Sequence, residues 1–106
     1  MLIRTMAKGY WINHVEDILD MEKFGKYLEK WNALVAAGVC KTIVMGPVGK
    51  TQLGKTDMKF AGVWEFETFE KAMAFQSSPE YQDAVKELGE DETKVVIRTS
   101  CVVSGE

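Results

Sequence analysis

The 106 residues, with 46% hydrophobic and 27% charged side chains, suit one globular domain and exclude a disordered chain. A formal net charge of −3 opposes nucleic-acid binding by phosphate neutralisation, and no apolar run reaches the ~18 residues of a membrane helix. Two cysteines, Cys40 and Cys101, have no CxxC spacing and His14 is the single imidazole, so the expectation is a cytoplasmic protein with reduced thiols and no metal or organic cofactor.

Residues 1–5 read as a leader and 6–106 as one domain. The run AKGYWINHV, residues 7–15, is aromatic and β-branched and predicts a strand. Glu16 and Asp17 after it suit the first turn of a helix, where the dipole favours negative charge. Met21, Phe24, Leu28, Trp31 and Val35 recur at steps of three and four, which predicts a helix over 18–37 with one buried stripe and Gly38 as its cap. CKTIVM, residues 40–45, predicts a second strand broken by Gly46-Pro47, followed by a Gly/Lys/Thr-rich turn region to Asp57. MKFAGVWEF, residues 58–66, predicts the third strand. Residues 67–76 return to helical spacing through Phe69, Ala72, Met73 and Gln76. Ser78-Pro79-Glu80 opens a further helical segment, with Tyr81, Ala84, Val85 and Leu88 on its inner face. Gly89 to Glu92 is a solvated turn, and residues 94–103 form the last strand.

The order β-α-β-β-α-β predicts an α+β, ferredoxin-like domain: a four-stranded antiparallel sheet with both helices on one face. A sheet with one wet face alternates apolar and polar residues. Here Met58, Phe60, Trp64 and Phe66 fall on one face of the third strand, and Ala61 and Val63 on the other. The last strand likewise divides into Val95, Ile97 and Cys101 against Val96 and Val102. Both faces are apolar, so a second copy of the sheet is expected to cover the one the helices leave bare.

Ala7-Lys8-Gly9-Tyr10-Trp11-Ile12, Trp64-Glu65-Phe66 and Ser78-Pro79-Glu80-Tyr81-Gln82 resemble the DUF1330 family of small bacterial proteins, within the dimeric α/β-barrel superfamily. The resemblance spans residues 6 to about 103. It implies two ferredoxin-like protomers packed sheet on sheet into a closed α/β barrel. Ala37-Gly38-Val39 and Val44 to Gly49 depart from the Gly-Gly and Arg-Gly-Gly runs of that family, and Lys86-Glu87-Leu88 lacks its Arg, so a ligand site built on those residues is not carried over. The wider superfamily includes cofactor-free monooxygenases, isomerases, polyketide cyclases and ligand-sensing modules, among which the fold does not choose.

Gly49 to Thr56 matches G-x-x-x-x-G-K-[ST], but phosphate binding needs a helix to follow and the next residues read as strand. A soluble hairpin tip is the expectation, with Lys50 and Lys55 able to attract an anion. Residues 59–66 share the Lys, one Gly and the final aromatic of an RNA-binding strand but lack its central stacking aromatics. His14, on the same strand face as Tyr10 and Ile12, is the candidate general base, a strand-end histidine being the plainer alternative. Tyr10, Tyr27 and Trp64 are candidate ligand contacts, with core packing as their other role. Glu65 needs Arg98 or a lysine as partner, and Glu87, Glu90, Asp91 and Glu92 read as solvated surface. Two functions fit: a cofactor-independent enzyme of monooxygenase, isomerase or cyclase type acting on a small organic molecule, or a non-catalytic ligand-binding homodimer.

Overall fold

A computed structural model describes residues 7–106; the expected leader at 1–5 lies outside them. Four strands are present: β1 (Gly9–Ile18), β2 (Lys41–Pro47), β3 (Phe60–Phe66) and β4 (Val96–Ser104). Between them run α1 (Met21–Ala36), α2 (Phe69–Phe75) and α3 (Pro79–Val85), with 3₁₀ turns at Lys86–Leu88 and Glu92–Lys94. The sheet has the order β2-β3-β1-β4 and every pairing is antiparallel, which makes the fold ferredoxin-like.

The main departure from expectation lies between β1 and α1. Glu16 and Asp17 belong to the strand, not to a helical first turn. A register shift between Val15 and Asp17 lets β1 continue against β4 to the Ile18–Val96 pair. The helix begins at Met21, where the Asp20 carboxylate accepts from Lys23 N–H at 3.0 Å. Met21, placed in the buried stripe from its spacing, is exposed, since the stripe starts one turn later at Phe24. Gly38 stands at φ +91°, and its N–H donates to Val35 O at 3.0 Å, closing α1 as expected. The second helical region divides in two: Thr68 caps α2, and Ser78 caps α3 with Pro79 in its first turn.

The helices cover one sheet face. Trp11 and Val15 from β1, Trp64 and Phe66 from β3, and Val96 from β4 pack there against Phe24, Tyr27 and Trp31 of α1 and Phe75, Tyr81 and Ala84 of the later helices. Trp11 and Trp31 stack with centroids 5.6 Å apart, and the Trp11 N–H donates to Ala72 O at 2.8 Å. The opposite face carries Tyr10, Ile12 and His14 of β1, Ala61, Val63 and Glu65 of β3, and Ile97, Thr99, Cys101 and Val103 of β4. On that side Val44, Ile97 and Val103 are 60%, 40% and 40% exposed. Val95, expected on β4, is instead buried just before it.

Candidate functional site

A cavity opens between the sheet and α1, lined by Trp11, Asn13, Phe60 and Trp64 from the strands, Phe24, Tyr27 and Trp31 from the helix, and Tyr81, Arg98 and Ser100 at its far end. Its volume is about 30 Å³, space for about two waters. A larger open cleft of about 550 Å³ adjoins it between β4 and the α2–α3 pair. The two share Trp11, Tyr81, Arg98 and Ser100, so these four residues are the wall between a narrow inner chamber and a wide outer one.

The polar end of the cavity is a connected network. Glu92 grips Arg98 with two carboxylate oxygens, Oε2 accepting from Nε at 2.6 Å and Oε1 from Nη2 at 2.9 Å. The remaining nitrogen, Nη1, donates to the Tyr27 hydroxyl at 2.9 Å and reaches that of Tyr81 at 3.4 Å. The guanidinium carbon also lies 4.9 Å from the Tyr27 ring centroid. The two phenol oxygens are 2.8 Å apart and share one proton. Two phenols carry two protons, so whichever donates, one O–H is left for a further acceptor.

Electrostatics fix the protonation of this group. Burial first, and then the neighbouring Tyr81, push the Tyr27 phenol well above its ordinary range, outweighing Arg98. Burial alone would lower Arg98, but its hydrogen bonds to Glu92 and the adjacent phenols win and hold it charged. Tyr27 is therefore held as a neutral phenol beside an ionised guanidinium.

Trp64 is placed by glycine. A side chain at Gly62 would overlap the six-membered ring of Trp64, so the indole can lie along the sheet only because that position is bare. Gly62 pairs with Asn13 across β1–β3, which sets the Asn13 side chain beside the Trp64 ring. Trp64 is 5% exposed, yet its indole N–H has no protein acceptor, and the buried Asn13 Oδ1 has no donor. Both residues line the cavity. Buried polar atoms are almost always paired, so an orphan donor and an orphan acceptor in one cavity mark an incomplete polar environment.

The four residues singled out from sequence divide between the two sheet faces. Tyr27 and Trp64 line the cavity. His14 borders a separate shallow groove of about 350 Å³ on the outward face, with Ile12, Val44, Pro47 and Val63. Tyr10 is on that face too, its hydroxyl donating to Glu65 Oε2 at 2.9 Å while Lys8 lies 3.5 Å from the other oxygen. The Tyr10 bond, then Lys8, holds the Glu65 carboxyl below its usual range, so a lysine rather than Arg98 is its cationic partner. Glu92 and Glu87 are not mere surface charge: Glu92 holds Arg98, and Glu87 pairs with Lys30 at 2.9 Å. Asn13, Tyr81, Arg98 and Glu92 escaped the sequence reading. The signal available for Arg98 was a lone arginine at an inward position of a strand.

No helix follows Gly49–Thr56, and Thr51 Oγ1 instead accepts from Met58 N–H at 2.9 Å inside the loop. Phe60, Trp64 and Phe66 of the RNA-like strand face the helices, not the open sheet surface where bases would stack. Cys40 and Cys101 are free thiols, and burial pushes Cys40 up to about 11. Among the described residues no cluster of three His, Cys, Asp or Glu is placed for a metal ion, and no helix is long and apolar enough to cross a membrane.

Residues 8–103 match the family termed Domain of unknown function (DUF1330). The chain belongs to this family. No curated protein matches its sequence significantly. Among solved structures, the methylated RPA0582 protein is similar at TM-score 0.67 and 12% identity, covering 92% of this chain and 80% of that one; RPA0582 is from Rhodopseudomonas palustris and is described as of unknown function. A dimeric ferredoxin-like protein of unknown function from Bacteroides fragilis matches at TM-score 0.57 and 21% identity, over 92% and 95% of the two chains. An antibiotic biosynthesis monooxygenase-like protein from Caulobacter crescentus matches at TM-score 0.56 and 7% identity, over 99% and 95%. At these identities the DUF1330 chain shares their fold.

Proposed function

We propose that this DUF1330 protein is a cytoplasmic homodimer whose protomers each bind a small oxygenated organic molecule between helices and sheet. The observation that carries the reading is that Trp64 and Asn13, each with an unpaired buried polar atom, line one aromatic-walled cavity together with the Tyr27–Tyr81 pair and its spare O–H. The ligand's body would rest in the outer cleft, and its oxygen would pass Arg98 to reach the phenols and the indole. Dimerisation is supported by the exposed apolar sheet face and by the relative from Bacteroides fragilis described as dimeric.

Whether binding leads to reaction turns on a base. The phenol pair beside Arg98 could stabilise negative charge developing on a ligand oxygen, which monooxygenase, isomerase and cyclase chemistry all require. Among the described residues no His, Asp or Glu lines the inner cavity, which favours non-catalytic binding there. His14 as general base would serve chemistry in the outward groove between the two sheets. The test is a fluorescence-detected screen of phenols, aldehydes and small acids, followed by mass spectrometry for consumption of any hit. Binding should be lost in Trp64→Ala with the dimer retained; binding unchanged in that variant would remove the cavity as the site. Consumption that survives His14→Ala would remove His14 as the base.

A further inference from the structure

We infer that the site selects neutral ligands, specifically those presenting a carbonyl acceptor with a donor proton beside it, such as a carboxamide or hydroxy-ketone, over the corresponding carboxylates. The inference rests on the cavity being the ligand site and deepens it. The first support is charge balance. Among the described residues Arg98 is the only cation lining either chamber, and Glu92 neutralises it with two hydrogen bonds at 2.6 and 2.9 Å. Its third nitrogen is occupied by the phenols. A carboxylate entering the inner chamber would be desolvated beside a cation that already has its counter-ion, and would meet Glu92 as a like charge.

The second support is the polarity of the orphan groups. Trp64 Nε1 can only donate, and so calls for an acceptor. Asn13 Oδ1 can only accept, and so calls for a donor. A carboxylate supplies acceptors alone and leaves Asn13 Oδ1 unpaired, facing another oxygen. A carboxamide supplies both an acceptor and a donor. The spare phenolic O–H, on the wall of the same cavity, also calls for an acceptor. Trp11 and Tyr81, which wall both chambers, give the body in the outer cleft an aromatic surface to rest against.

The experiment compares benzamide and benzoate, which match in size and differ in charge and donor content. Binding is followed by the indole N–H resonances, Trp64 being assigned by its loss in Trp64→Phe. Benzamide should shift the Trp64 signal and bind at least about tenfold more tightly than benzoate. Glu92→Gln, which leaves Arg98 unbalanced, should cut the benzamide-over-benzoate preference about tenfold, and an unchanged ratio overturns the charge argument. Benzoate binding as tightly as benzamide in the wild type overturns the preference, while a Trp64 shift keeps the cavity as the site. Failure of both probes to move the Trp64 signal overturns the site reading and the preference with it. The wild-type comparison stands even where the Glu92 variant fails to fold.

Discussion

The two faces of this sheet are built from the same strands and solve different problems. Toward the helices stand Trp11, Trp64 and Phe66, each under 10% exposed, in a net of ring contacts that includes Trp31, Phe75 and Tyr81. Away from them stand Ile12, Ala61, Val63, Ile97 and Val103, smaller and partly open to water. Large aromatics fill the irregular space between a curved sheet and helices. Small and β-branched side chains make the flat surface on which a second sheet can lie. The inward face also holds the part-buried network of Arg98, Glu92 and the phenols, where reduced contact with water strengthens each bond. In the proposed reading, ligand binding in the cavity and self-association fall on opposite sides of one sheet.

The sharpest break of this contrast is Trp11→Ala. It removes the stack on Trp31 and the bond to Ala72 O, and should lower unfolding free energy by about 3–5 kcal/mol in a denaturant titration. Its outward counterpart is Val63→Asp, which puts a charge at the centre of the bare face. Sedimentation should show association weakened by about 2–4 kcal/mol with far-UV dichroism unchanged. A monomeric wild type would end the case for the dimer. Gly62→Ala tests how tightly the inward face is packed: pushing the Trp64 ring should cost about 1–3 kcal/mol, whereas Ala61→Gly on the other face should cost under about 1 kcal/mol.

A smaller effect belongs to the phenol pair. Tyr27→Phe removes the acceptor for Arg98 Nη1 and should cost about 1 kcal/mol at neutral pH. Its pH signature follows from the raised Tyr27 pKa. An unfolded tyrosine ionises near pH 10 while the folded one stays protonated, so the unfolded state loses a proton first. The stabilisation is whole below about pH 10 and falls as pH rises beyond it. The alkaline limb of stability against pH should therefore be shallower in Tyr27→Phe than in the wild type; equal slopes would mean that Tyr27 is not buried as described.

Spacing alone carried the architecture. Phe24, Leu28, Trp31 and Val35 mark a helix stripe wherever the helix packs, and the alternation of Trp64 with Val63 and Glu65 divides a strand's faces before any partner is known. Caps such as Ser78-Pro79 and Gly38 are equally local, since each depends on backbone groups within a few residues. The β1 extension through Glu16 and Asp17 was hidden because it depends on pairing with β4, some eighty residues away. The site was hidden for the same reason. Arg98 meets Tyr27 across a separation of 71 residues, and whether Glu92 is solvated surface or the clamp on that arginine depends on where β4 begins. Local chain periodicity sets which side of an element a residue occupies; only the packed structure sets what stands opposite it, and the chemistry of this cavity is made entirely of such opposites.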